Sequence, residues 1–502
     1  MPCWSDSRSL REAISGHNNN YTLIRAILAA GVIYSHSFGM SLDKQYVDHI
    51  DNWLVPVTSV GDLAVQCFFF LSGLFVTQSY FNDPNTLRFV FRRFFRIWPG
   101  LFVCLVVTIL LACAISKPKD FGHFLLFNDV YDYILRNAVF DLTWNVPGVF
   151  DGHALKAING PIHTLPMEAK MYVILAIVGA VGFLATPLRI GLTGAAFTLF
   201  CLMIGNDTPS LTWLFSAPYT RPAAAMFSAG VLAFATSRWI FPRLWQVAAL
   251  ALATSFCTGA AYSVMLFATV AWTLLYLGQS RALAKLGKPR QDLSYGIYIY
   301  GWPCQQIVLA TTSTHINPYL LMTSALALSC VFAAFSWRFV EKPAITLGHV
   351  LPAAIINWLK RARPILSFAE RRAARLGGVL VAVLAVCMSM RSVTTTHDFV
   401  AVAAMPVRII EFGPREAKKG VPFNAQLDGS SAIWLKLEGA PPEGTAVYLS
   451  GHKLETAIAP GLATAKVPPS LIATAGEKKL YLERRSVNLI DRSRSVDLRV
   501  DD

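Results

Sequence analysis

Long apolar runs alternate with short polar, mostly basic stretches through the first three quarters of the chain. Runs that can cross a hydrocarbon core, which takes about twenty helical residues, are read at Tyr21–Met40, Gly61–Tyr80 and Trp98–Ser116. Others follow at Met167–Thr186, Arg189–Gly205, Pro222–Ser237, Trp245–Cys257, Ala261–Gly278, Leu293–Thr312, Tyr319–Val340 and Leu376–Met390. About eleven spans are expected, several of them short or abutting between Arg189 and Gly278. Beyond about Thr394 the period changes to that of strands, with Ala432–Leu437, Ala446–Leu449 and Lys479–Glu483 separated by turns such as Gly439–Gly444. The predicted fold class is an all-α polytopic membrane protein followed by a small, sandwich-like all-β domain.

Composition agrees with this pattern. Of 502 residues, 54% are hydrophobic and 15% charged, against about 25% charge in soluble globules. The formal charge of +14 sits in clusters between apolar runs, which orients membrane helices and does not point to nucleic acid. With the N-terminus inside, the cytoplasmic loops become Asn82–Ile97, Arg238–Arg243, Gln279–Asp292 and Glu341–Arg375, while Ser41–Val60 and Lys117–Pro166 carry at least as many acids as bases. The expected segments are 1–20 cytoplasmic, 21–343 membrane domain, 344–375 basic linker, 376–393 an additional span and 394–502 an extracytoplasmic β domain. That is a multi-pass bacterial inner-membrane protein with a periplasmic C-terminal domain. Residues 1–20 lack a secretory-signal pattern, so the first span is expected to remain as an anchor and the mature chain to be the whole chain. Eight cysteines lie in or beside apolar runs with no metal-ligand spacing, so neither disulfides nor a metal are expected.

Candidate chemistry begins in the first span, where Arg25 and His36 stand eleven residues apart. That is about three helical turns, which puts both on one face roughly 16 Å apart. An ionisable residue inside a span is costly and a functional candidate, and histidine suits proton transfer. Alternatively, His36 hydrogen-bonds a neighbouring helix and Arg25 marks the membrane boundary.

Other segments decide how these two residues are read. Asn19-Asn20-Tyr21 leading into Arg25 and His36 resembles the opening of the acyltransferase-3 family of membrane acyltransferases, with its Arg-x10-His signature. Cys67-Phe-Phe-Phe-Leu-Ser72-Gly73 resembles its FFxLSG stretch, Arg92-Arg93-Phe-Phe-Arg96 its RRxxR cluster, and Gly160-Pro-Ile-His163-Thr164-Leu-Pro-Met-Glu168 its GxxWTLxxE. Asp292-Leu-Ser294-Tyr295-Gly-Ile-Tyr298 with Trp302-Pro303, then Trp337-Arg338-Phe-Val-Glu341-Lys-Pro343, resemble its closing motifs. The resemblance runs from about Asn19 to Pro343. It implies a ten-helix unit that takes an acyl-coenzyme A donor, commonly acetyl-CoA, and modifies surface polysaccharide, lipopolysaccharide or lipo-oligosaccharide. The eleventh span and the β domain lie beyond it.

In that frame Arg92, Arg93 and Arg96 can grip the donor's phosphates, or else serve as topology determinants or lipid contacts, and Arg25 can help hold the donor. His36 acts on the acceptor hydroxyl as general base or as a covalent relay. Glu168 orients His36 or binds acceptor hydroxyls, unless it only pairs with Lys170 at a boundary. Ser72 and Gly73 serve helix packing. Tyr295 and Tyr298 stack on a sugar or belong to an interfacial belt. His163, where the family usually has Trp, and Thr164 are candidates for acceptor binding, and Gly301 replaces a frequent His. The expected partners are acyl-CoA, the lipid bilayer and an extracytoplasmic glycan, which the β domain guides or holds unless it docks a glycan-assembly protein. The rival readings are a transporter or flippase of a lipid-linked glycan, or an acyltransferase using succinyl or longer donors.

Overall fold

The computed structural model describes residues 8–16, 19–43, 45–46, 48–54, 58–116, 128–203, 220–285, 287, 289–361, 401–404, 407–426, 430–439, 441, 445–485, 489–493 and 495–501. The chain divides into two compact units, Met1–His397 and Asp398–Asp502.

The first unit is helical: α1 (Leu10–Ser15), α2 (Tyr21–Met40), α3 (His49–Leu54), α4 (Val60–Asn82), α5 (Thr86–Ser116), α6 (Asn128–Ala138), α7 (Leu165–Ala180), α8 (Pro187–Met203) and α9 (Thr220–Ala235). It continues with α10 (Leu244–Ser255), α11 (Gly259–Leu277), α12 (Arg281–Ala284), α13 (Ser294–Thr311), α14 (Pro318–Ser336) and α15 (Lys342–Arg361). Local chemistry marks the helix starts. Ser59 accepts from the Asp62 amide at 3.0 Å to cap α4, and Asn317 accepts from Tyr319 at 2.8 Å with Pro318 at the first position of α14.

Six helical stretches among the described residues are long and apolar enough to cross a membrane: 21–40, 60–82, 86–116, 161–180, 259–277 and 318–352. Helices α8 and α10 are apolar but shorter. Among the described residues six of the about eleven expected spans are thus helices of full membrane-crossing length. The expected span at Leu376–Met390 and nearly all of the basic Lys360–Arg375 cluster lie outside the described residues.

Two expected cytoplasmic loops are helix instead. Arg88, Arg92, Arg93 and Arg96 ride on α5, because Asn85 accepts from the Arg88 amide at 3.0 Å and starts the helix at Thr86, well ahead of the apolar run from Trp98. The loop expected from Glu341 is the continuation of α14 through a π-turn at Trp337–Glu341 into α15. Pro343 has no N–H to return, and the wider turn just before it lets the helix carry on.

Helices α4 and α9 pack backbone to backbone. A Cβ on Gly73 would lie 1.9 Å from the Phe227 carbonyl, and one on Gly230 would lie 2.1 Å from that of Phe70.

The second unit is two sheets on one core. Strands β1 (Ala401–Ala404), β3 (Glu416–Lys418), β5 (Ala446–Leu449), β6 (His452–Lys453), β9 (Gly476–Arg485), β10 (Leu489–Arg492) and β11 (Val496–Asp501) form one sheet. The other has the order β2 (Arg408–Gly413), β4 (Ser431–Glu438), β8 (Leu462–Val467), β7 (Glu455–Ala459). Strict alternation along β4 turns Ile433, Leu435 and Leu437 inward, where they meet Val447, Leu480, Leu482 and Leu498 of the other sheet.

Candidate active site

A cavity of about 150 Å³ opens among α2, α4, α5, α7 and the start of α13. It brings together Arg25, Arg93, Arg96, Thr164, Glu168, Tyr295 and Tyr298, with Ser72, Tyr172, Asp292 and Ser294 completing its polar lining. It does not include His36, His163 or Arg92.

At one end the guanidiniums are tied to carboxylates. Arg25 Nη1 and Arg96 Nη2 each lie 3.3 Å from Asp292 Oδ2, and Arg96 Nη1 lies 3.1 Å from Glu341 Oε2. The π-turn is what turns Glu341 into the bundle, where it is 1% exposed and accepts from Ser336 Oγ at 3.1 Å. Burial alone would raise the Asp292 carboxyl; Arg25, Arg96 and Ser294 outweigh it and hold Asp292 below its ordinary value.

Arg93 differs from its neighbours. Among the described residues it makes no ion pair, its Nε has no hydrogen-bond partner, and its guanidinium lies over the rings of Phe89 and Tyr172, 6.0 and 5.9 Å away. It is a cation facing a cavity from over two aromatic faces, with Glu168 acting on it across the cavity and not in a direct pair. Arg92 is drawn the other way, into an ion pair with Asp83 that Arg88 shares at 2.7 Å.

On the opposite wall, Tyr172 donates to Glu168, and the Ser72 hydroxyl lies 3.4 Å from both. Glu168 was expected near the outer boundary, but it shares its cavity with the arginines of α5, and among the described residues no hydrogen bond joins it to His36 or Lys170. The cause lies just upstream. Residues 153–160 are not helix but irregular backbone held against α13. Trp302 Nε1 donates to the Ala157 carbonyl at 2.7 Å, Gln306 Nε2 donates to Leu155 and Ala157 at 2.6 and 2.7 Å, and Asn159 donates to Ile299 at 2.9 Å. Buried backbone outside a helix needs its polar groups satisfied in this way, and here the segment leads into Thr164 and Glu168 at the cavity.

Tyr298 donates to the Pro161 carbonyl at 3.0 Å and shares a 2.7 Å hydrogen bond with Thr164, while Tyr295 donates to the Ile97 carbonyl at 2.6 Å beneath Arg96. Both tyrosines line the cavity, so the belt alternative does not describe them.

The face of α2 that carries Arg25 and His36 packs on α13. Arg25 reaches Asp292, and the His36 ring meets Trp302 edge to face at 4.9 Å. His163 donates through Nδ1 to the Gly160 carbonyl at 2.9 Å, and Gly160 itself packs on Trp302, where a Cβ would lie 3.0 Å away. His36 thus packs on Trp302 directly, whereas the His163 ring lies 6.1 Å from that of Trp144. A Cβ on Gly301 would lie 2.7 Å from Ile33 Cγ1, which explains why this chain has glycine there.

Comparison with known proteins now bears on this arrangement. The acyltransferase-3 family, described as an acyltransferase domain, matches residues 18–341. The chain belongs to this family. It is 27% identical over 347 residues to an O-acetyl transferase of Shigella phage Sf6, covering 66% of this chain and 96% of that protein. It is 25% identical over 388 residues to nodulation protein 10 of Rhizobium leguminosarum bv. viciae, covering 68% of this chain and 97% of that protein. Each relative is almost used up by about two thirds of this chain, so a third has no counterpart in either. No solved structure matches the chain. Family and apolar helices together make this a membrane-bound acyltransferase.

For an acyltransferase-3 protein, the site residues that sequence reasoning passed over are Asp292, Glu341 and Tyr172. Asp292 and Glu341 stood inside quoted motifs, and an acid beside an apolar run has to find a partner. Tyr172 sits one turn after Glu168, a spacing at which helical side chains meet. Ser72 was assigned to packing; Gly73 carries that role, and Ser72 faces the cavity.

Proposed function

We propose that the chain is an O-acetyltransferase that moves the acyl group of a cytoplasmic acetyl-CoA to a hydroxyl of an extracytoplasmic glycan in the bacterial inner membrane. The observation that carries this reading is Arg93, which makes no ion pair among the described residues at a cavity where Arg25 and Arg96 are already paired. A donor phosphate supplies the missing anion through charge-assisted hydrogen bonds. Arg25 and Arg96, fixed by Asp292 and Glu341, set the field around it. The thioester then extends past Thr164 and Tyr298 toward His36, which takes the proton of the acceptor hydroxyl as that oxygen attacks the thioester carbon and coenzyme A leaves as the thiol. The relative named O-acetyl transferase supports the choice of acetyl.

A second reading gives the base to Glu168, because Glu168 lines the cavity and His36 does not. Membranes carrying matched amounts of protein, incubated with radiolabelled acetyl-CoA and envelope glycan, separate the two. Loss of labelled glycan of about 10²-fold or more in His36→Ala, with Glu168→Gln retaining most activity, supports His36; the reverse order transfers the role to Glu168. No glycan label with the wild type overturns the proposal.

A further inference from the structure

The β unit lies outside the family match at 18–341, and the outer face of its four-stranded sheet is built around one aromatic side chain. Trp434 on β4 pairs across the sheet with Gly413 on β2 and Thr464 on β8, and Thr464 pairs with Ala457 on β7. With no side chain on Gly413, the indole lies down over that strand; a Cβ there would sit 2.8 Å from its ring. Its neighbours on the other side are small, and the ring is 36% exposed. Leu462, 41% exposed, lengthens the apolar strip.

Around this shelf the charges come in opposed pairs. Lys436 lies 3.9 Å from Glu411, Lys466 lies 3.5 Å from Glu455, and Arg408 stands opposite Glu438 in register. Among the described residues these pairs balance, so they give the face no net charge to attract a polyanion or an anionic lipid. Trp434 and Leu462 together offer too small an apolar area for a stable protein partner. A flat indole flanked by ammonium and carboxylate groups suits a ligand with an apolar C–H face and a rim of hydroxyls that both donate and accept.

We propose that this face binds a neutral pyranose oligosaccharide, with one sugar ring stacked on Trp434 and its hydroxyls on Lys436, Glu411 and Thr464. The inference deepens the proposed function by placing a glycan-holding site on the β unit, and it rests on that reading only for why such a site is useful to the enzyme.

The test is retention of purified full-length protein, in detergent, on an array of immobilised neutral and anionic oligosaccharides, beside a separate measurement of acetyl-CoA binding. Wild type is expected to be retained on neutral oligosaccharides, with a loss of roughly tenfold in Trp434→Ala and partial recovery in Trp434→Tyr. Thr464→Glu, which crowds the ring from the surface without touching the core, is expected to give the same loss and covers the case in which Trp434→Ala misfolds. Retention that is equal in wild type and Thr464→Glu, that is confined to anionic glycans, or that is absent overturns the site. If the wild type binds acetyl-CoA but no glycan, this inference falls while the donor half of the proposed function stands. Glycan retention without acetyl-CoA binding has the opposite consequence.

Discussion

At the cavity of the membrane unit the ion pairs are inside: Glu341 is 1% exposed and Arg96 reaches both it and Asp292, whereas other pairs of that unit, such as Lys156 with Asp151, lie at the surface. In the β unit they are outside, and the side chains of Lys436 and Glu411 are 61% and 54% exposed. The first unit cannot lose a partner cheaply, because a charge left alone in a desolvated bundle has nothing to replace it. The second can, because water takes the place of either partner. Buried pairs in this protein therefore mark the chemistry, and surface pairs only frame a face.

The contrast can be broken from either side. Glu341→Ala removes the more buried of Arg96's two carboxylate partners and is expected to destabilise the membrane unit by about 3 kcal/mol, read as a lowered melting temperature in detergent. Amide-exchange protection in the β strands should not change; if it falls too, the units are not energetically separate. The converse change is Leu435→Ala, at a fully buried position on β4, with an expected cost of about 3 kcal/mol to the β unit. Exchange in β4 and β8 should rise while acetyl-CoA binding persists.

Asp292→Asn sharpens the comparison through pH. The native carboxyl lies below its ordinary value, and the unfolded one near 3.9. Its contribution is therefore full above about pH 4 and lost as the pH falls through the folded value. Wild type and variant should differ by about 2 kcal/mol at neutral pH and converge in acid, measured as melting temperature against pH. The smallest effect is expected for Lys436→Ala, under about 1 kcal/mol, by the same assay. A larger loss there would mean that the β face is held by its charges.

Much of the site was legible as residue types and little of it as geometry. The Arg25–His36 spacing marks one helical face, and that face does pack on α13 through Asp292 and Trp302. The arginine cluster was legible as well, but not its division into a paired Arg92, a paired Arg96 and an unpaired Arg93. Those fates depend on Asp83, Asp292 and Glu341, and the last two lie far away in sequence. Glu168 reads as a boundary carboxylate because a polar segment precedes its span, and the hydrogen bonds from Trp302, Gln306 and Asn159 that hold that segment against α13 have no local signature.

Sequence by itself determined the division into an apolar helical part and an alternating β part, the family, and the inward set on β4. The division and the inward set follow from periodicity and composition, which are local and repeat over many residues; the family follows from the ordered motifs between Asn19 and Pro343. Only the tertiary structure decided which cations were left without partners, which backbone turned inward ahead of Glu168, and that Trp434 lies flat over Gly413. Such outcomes depend on single contacts between distant segments, where one carboxylate or one missing Cβ sets the arrangement and no periodic signal records it.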